Sequence, residues 1–401
     1  MNTFALLDFN AVMQSVGGVV LAVAVLLVMV TIHEFGHYVA GKLLHFKINE
    51  FAVGFGPAIL KKRSKKTGEL FALRIIPLGG YCAFDGEDEF EEEQPQEGQP
   101  PFEEMTPVEE LVQKEDEYPE PKGERFNDQK PWKRIIVLIA GATMNYLLAL
   151  VLLFIMFGCY GRIHSYIGYT GEEPPAITNP DGLCAQDIVL SVDGQDIYLT
   201  TDYVDILSGK NKGDEVSVKI LRRDADKVWQ EKTLNITLQA DCHFTSMTQT
   251  GLVMQALGLH SEEVGFASVT MKAGFFETIG SAVVYSFKIG GTVLRSLGEL
   301  VTGRLGLNAM GGPVTTIKVT SQIASAGVLP LLNIAAFIGV NLAVFNLLPI
   351  PALDGCKVIF CIIEWIRKKP VNRKVEAIIH FAGIILLFGF AILVDVLQLF
   401  A

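Results

Sequence analysis

The sequence predicts an α-helical polytopic membrane protein with four transmembrane helices and one small α+β domain outside the bilayer. Three observations carry this. Half of the 401 residues are hydrophobic and only 19% are charged, which is too apolar for an ordinary soluble chain. Four stretches, about 16–44, 135–160, 331–348 and 377–400, are long and apolar enough, or nearly so, to cross roughly 30 Å of hydrocarbon. Between the second and third, residues from about 165 to 245 lose that character and alternate apolar with polar.

The first stretch, Val16–Leu44, runs into His33-Glu34-Phe35-Gly36-His37. On a helix this spacing puts two imidazoles one turn apart on one face, as a zinc ion needs. It also sets a carboxylate beside them that can act as a general base. Ionisable groups are costly at bilayer depth, so the cluster reads as a functional site. The N-terminus lacks a basic region and the apolar run continues straight into the motif. The segment is therefore expected to stay in the protein as its targeting signal, with no cleavable leader.

The second stretch is Ile135–Tyr160. The third, Leu331–Leu348, is interrupted by Asn333, Asn341 and Asn346, which marks it as facing the protein interior. Pro349 and Pro351 then break the helix just before Asp354. Unwound backbone at membrane depth must line a cavity or be buried in protein. A carboxylate there needs a counter-charge, and a zinc ion on His33 and His37 supplies one. Two imidazoles and one carboxylate leave a fourth tetrahedral position for water, as in a catalytic site. The fourth stretch is Ala377–Phe400.

Orientation follows from Lys and Arg. They cluster at Lys61–Lys66, Arg74 and Lys130–Arg134 after the first stretch, and at Lys357 and Arg367–Lys374 after the third. Both termini are then extracytoplasmic, the metal motif lies on the cytoplasmic side, and 161–330 is external. The formal net charge of −11 is concentrated in Asp85–Glu124, which holds 17 acidic residues against two Lys and leaves the rest of the chain net positive. Rich in Glu, Gln and Pro, this stretch is expected to be a disordered cytoplasmic insert. It reads as a solvated spacer, with docking of a basic partner as the alternative. No nucleic-acid partner is expected. Of six cysteines, only Cys184 and Cys242 are placed to pair outside the membrane.

In the external segment, Asp187–Val192, Glu215–Ile220 and Thr233–Leu238 alternate like strands, and Thr201–Leu207 reads as a short helix. The string Asp187-Ile188-Val189-Leu190-Ser191-Val192-Asp193-Gly194-Gln195 resembles the core of a PDZ domain. Gln186 stands where a Gly usually precedes that Asp, and there is no clear carboxylate-binding loop. The domain reads either as a binder of extended peptide or as a size filter above the active site. Residues Ala273–Thr302 are amphipathic and Gly-rich, which suits membrane-surface helices.

The first-span HExxH together with Asn346-Leu347-Leu348-Pro349-Ile350-Pro351-Ala352-Leu353-Asp354-Gly355 closely resembles the site-2 protease family, in its bacterial branch that includes the regulator of sigma-E protease. Gly54-Phe55-Gly56-Pro57, Ile76-Pro77-Leu78-Gly79-Gly80-Tyr81 and Gly311-Gly312-Pro313-Val314 are further family-like pieces. Two departures are Cys356, where the family often has Gly, and Ala140-Gly141-Ala142-Thr143-Met144-Asn145 in place of AGPxxN.

The resemblance implies a zinc intramembrane endoprotease with His33, His37 and Asp354 as metal ligands and Glu34 as catalytic base. Its substrates would be single-pass transmembrane proteins such as anti-sigma factors. It also implies a membrane-dipping β-hairpin over Lys47–Phe84. The stretch containing Phe71, Leu73, Arg74 and Ile75 would be its edge strand for an unwound substrate, and Asn346 a substrate-positioning amide. The expected order is helix 1–46, hairpin 47–84, acidic insert 85–127, helix 128–160, PDZ-like domain 161–258, surface helices and linker 259–330, helix 331–356, and loop with last helix 357–401. Two rivals are an ion-coupled transporter and a catalytically inactive scaffold. The first predicts repeated membrane halves, which are absent from the sequence; the second is opposed by the intact His33, Glu34, His37 and Asp354.

Overall fold

A computed structural model describes residues 9–87, 118–170, 181–224, 226–259, 264–307 and 310–400. It divides into two compact units, Met1–Ala149 with Gly311–Ala401, and Leu150–Met310.

The first unit holds the helices long and apolar enough to span a membrane: Val16–Leu43, Pro131–Tyr160, Val328–Asn346 and Arg373–Gln398. They belong to α1 (Phe9–Leu43), α2 (Pro131–Tyr160), α7 (Val328–Asn346) and α9 (Arg373–Phe400). The last turns of α2 fall in the second unit. Helix α1 is apolar around its circumference, and Val16, Val20 and Val28 are exposed, as suits a helix solvated by lipid. Two shorter helices complete the unit, α6 (Pro313–Ser325) and α8 (Asp354–Arg367). Gly18 lets α6 approach α1, because a Cβ there would press on Ser321 and Ser325. Asp395 of α9 accepts hydrogen bonds from the Val314 and Thr315 amides at the start of α6, at 3.0 and 3.1 Å. It thereby satisfies amides that the helix itself leaves open.

Between α1 and α2 lies a curled hairpin, β1 (Ile48–Arg63) and β2 (Leu70–Phe84). Gly54 and Gly56 have φ of +87° and +82°, and Gly79 has +126°. These left-handed residues turn corners within each long strand. The hairpin therefore folds across itself. Residues 50–53 register with 80–83 on one side and with 70–73 on the other, while 70–73 also registers with 60–63. The segment containing Phe71 and Leu73 is thus an inner strand, not the expected edge. The open edges, among the described residues, are 58–63 and 80–84.

The acidic stretch is ordered at both described ends. Asp85 pairs with Lys47 at 3.1 Å and Glu87 with Lys357 at 2.7 Å. Phe126 is buried against Phe46 and Phe84, with ring centroids 5.4–5.5 Å apart. Aromatic burial, which the Glu-rich composition obscured, fixes residues 118–127. The reading of disorder for 88–117 lies outside the described residues. Arg134, 1% exposed, stacks on Phe126 and bonds Glu364 at 2.9 Å, tying α2 to α8.

The second unit is an antiparallel sheet of order β7-β6-β4-β3-β8, with β5 paired to β4. Its strands are β3 (Arg162–Tyr169), β4 (Ile188–Val192), β5 (Gln195–Asp196), β6 (Glu215–Arg223), β7 (Trp229–Thr237) and β8 (Val264–Met271). Helices α3 (Thr200–Leu207) and α4 (Thr250–Ala256) contribute Tyr203, Leu207 and Val253 to a core shared with Val189, Val218 and Ile220. Asp187 and Arg222 form a buried two-point pair at 2.7 and 2.6 Å. No disulfide joins Cys184 to Cys242.

The domain boundary expected at 258 falls too early, because β8 pairs with β3 along its whole length. Helix α5 (Phe275–Val301) follows as one continuous element. It buries Tyr285, Ile289 and Val293 and exposes Phe276, Phe287 and Val301.

The hairpin corners give a test. A methyl on Gly79 would collide with the Phe55 ring while holding a left-handed backbone. Gly79→Ala should cost about 1–3 kcal/mol, seen as a lower melting temperature of the detergent-solubilised protein. An unchanged melting temperature would show that this corner is not constrained as described.

Candidate metal centre and active site

Helix α1 supplies His33 and His37, both buried, with ring centroids 4.7 Å apart and nearly perpendicular. Their Nε2 atoms lie 3.1 Å from one another. Asp354, the first residue of α8, brings its Oδ2 to 3.0 Å from His33 Nε2 and 3.4 Å from His37 Nε2. Three donor atoms from residues 33, 37 and 354 thus lie within 4.8 Å of one another. Two bare imidazole nitrogens and a carboxylate oxygen turned on one point match the donor set of zinc, with a fourth position left over.

The tautomer of His37 follows from its other nitrogen. His37 Nδ1 is 2.8 Å from the Val137 carbonyl, which can only accept, so Nδ1 carries the hydrogen and Nε2 offers a lone pair. His33 Nδ1 faces two side-chain amides, Asn145 and Asn346, each at 3.4 Å.

The chain reaches Asp354 through a tightly wound connection. Helix α7 stops at Asn346, and Ala352 is left-handed with φ +78°. Its amide donates to His380 Nδ1 on α9 at 3.1 Å. A side chain on Gly383 would strike Pro351, and one on Gly355 the carbonyls of Leu347 and Leu348. Bare backbone at both positions lets the loop coil close enough to deliver Asp354.

Glu34 is half-buried and lies against Gly80 of the hairpin, where an added Cβ would come 3.3 Å from its Cγ. The structure thus gathers His33, His37, Asp354 and Asn346, and places Glu34 beside the hairpin. Phe71 and Leu73 instead line a groove of about 580 Å³ with Phe51, Val53 and Leu60. Arg74 is engaged by Glu50, Tyr81 and the Gly56 carbonyl at 2.6–2.7 Å, and Ile75 is exposed.

Sequence reasoning missed Gly141, Val137 and Asn145. All three lie on α2, and Gly141 is flush against both imidazoles: a Cβ there would meet His37 Nε2 and His33 Cε1. The Ala140–Asn145 motif was a signal for Gly141 and Asn145 alone; Val137, which acts through its backbone carbonyl, left none. Gly141→Val should displace the rings and lower zinc retained by the purified protein at least about tenfold, measured by elemental analysis. Zinc retained at the wild-type level would refute the close approach.

The family model described as Peptidase family M50 matches residues 21–390. Zinc metalloprotease RasP of Bacillus licheniformis is 27% identical, over 89% of this chain and 92% of that protein. Regulator of sigma-W protease RasP of Bacillus subtilis is also 27% identical, over the same shares. A putative zinc metalloprotease of Clostridium perfringens is 31% identical over 92% of this chain and 94% of its own length. With a match across nearly the whole sequence and four apolar helices to hold it in the bilayer, the chain belongs to peptidase family M50 and is a multi-pass membrane zinc metalloprotease.

Proposed function

We propose that this protease cuts single-pass transmembrane proteins within the membrane, with anti-sigma factors as the substrate class. The observation that carries it is the gathering of two imidazoles and a carboxylate on elements bordering apolar spans. A peptide bond reaching such a site must come from a chain that is itself in the bilayer. The substrate class is supported by one relative's name, regulator of sigma-W protease.

In this reading His33, His37 and Asp354 hold the zinc. When bound, zinc supplies Lewis acidity that brings the pKa of a water toward neutrality. Glu34 is the general base and acid, taking a proton from the attacking water and passing it to the leaving amine as the peptide bond breaks. A helical substrate must unwind first, since its amides are tied up in helix bonds. The hairpin, dipping into the membrane, offers the opened strand its edge at Gly80–Phe84, beside Glu34, instead of Leu70–Ile76, whose neighbours are already in place. Phe71, Leu73, Arg74 and Ile75 then act through side chains, and the half-buried Asn346 positions substrate carbonyl. Strands β3–β8 with α3 and α4 form the PDZ-like domain outside the cell. The exposed Phe276, Phe287 and Val301 of α5 rest on the membrane surface. Both termini face outward.

Co-expression with a model single-pass substrate tests the assignment. Glu34→Gln should lower cleavage by about 10²–10⁴-fold yet retain zinc, whereas Asp354→Ala should lose zinc. Equal cleavage by wild type and Glu34→Gln would sink the proposal. Alkaline phosphatase fused to either terminus should be active; an inactive fusion at both would reverse the orientation.

A further inference from the structure

Among the buried polar groups near the metal centre, one has its chemistry left incomplete. Asn145 on α2 is fully buried, and its Oδ1 has no hydrogen-bond partner. Its Nδ2 stands 3.4 Å from His33 Nδ1, and Asn346 presents its own Nδ2 to the same nitrogen at 3.4 Å. Two amide N–H₂ groups facing one imidazole nitrogen is a poor match. His33 Nε2 is turned toward His37 Nε2 and Asp354 Oδ2, so Nδ1 is the nitrogen that carries hydrogen. A hydrogen there needs an acceptor.

The oxygen and nitrogen of a side-chain amide exchange places on rotating the group by half a turn, with no other atom displaced. Rotated in this way, Asn145 sets an acceptor oxygen where His33 Nδ1 needs one. Asn346 can stay a donor.

Resting on the reading of His33 as a zinc ligand, we propose that Asn145 is a positioning residue: its Oδ1 accepts the His33 Nδ1 hydrogen and so fixes the tautomer and plane of that ring. Three features favour Asn145 over Asn346. It is wholly enclosed, while Asn346 is half-buried at the end of α7 and remains available to substrate. It lies on the helix that already serves His37 through the Val137 carbonyl. Gly141, one turn before it, is the gap through which both rings approach α2. Helix α2 thus contributes no ligand yet orients both imidazoles, one through a backbone oxygen and one through a side-chain oxygen. Such outer partners typically govern metal affinity by 10–100-fold.

The test uses full-length enzyme in detergent, with zinc affinity read by chelator competition and ligand-field spectra taken after cobalt substitution. Asn145→Leu keeps the volume and removes the acceptor; it should weaken zinc binding by about 10–100-fold and shift the cobalt spectrum. Asn145→Asp keeps an acceptor and should hold zinc within about threefold of wild type. Asn346→Leu should leave zinc affinity unchanged and raise KM. Wild-type affinity in Asn145→Leu overturns the proposal. So does an equal loss in the Leu and Asp variants, which would mark a packing role, or a loss confined to Asn346→Leu. Undiminished zinc in His33→Ala would instead remove the ligand assignment on which the proposal rests.

Discussion

Two imidazoles and a carboxylate crowded within 4.8 Å, on elements packed among membrane-spanning helices, set the terms for everything around them. Removing such groups from water carries a desolvation cost that ordinary side-chain pairing repays only in part. In the proposed function a divalent cation at their meeting point offsets it. The fold must therefore bring three side chains from distant parts of the chain to one point. The glycines at 141, 355 and 383 serve that shape, each marking a place where a helix or loop comes closer than a side chain would permit. Specificity of the site lies as much in these missing atoms as in the ligands.

In the proposed function the hairpin answers a second demand, that of handling a substrate whose backbone has left its helix. Left-handed glycines at 54, 56 and 79 curl two long strands into a compact sheet with protected inner segments. Among the described residues only short edges remain open, and the one ending near Gly80 adjoins Glu34. A short exposed edge limits unwanted pairing with other chains.

The three residues of the cluster were legible because each sits in a local string: two His at helical spacing, and an Asp released by two prolines. The four spans were legible for a similar reason, since length and apolarity are properties of a contiguous segment. What could not be read depends on approach between segments. Nothing about Asn145 or Gly141 in one dimension says that they abut His33 and His37, because that proximity arises from helix packing. The resemblance implied the hairpin but not its internal pairing, so the stretch with Phe71, Leu73, Arg74 and Ile75 was expected to be an edge, whereas residues 70–73 are paired on both sides. Strand β8 was missed because its partner β3 lies about a hundred residues earlier in the chain. The packed ends of the acidic stretch were hidden by composition, which averages Phe126 away among its charged neighbours.

The last helix donates no metal ligand, yet His380 receives the Ala352 amide and Gly383 cradles Pro351, so the loop presenting Asp354 is shaped against it. The two histidines, by contrast, sit on α1, with His33 separated from Asp354 by 321 positions in sequence. The cluster is consequently closed by a tertiary contact between distant segments, and a folding chain carries the HExxH motif without its completed geometry until α9 packs against the loop that presents Asp354.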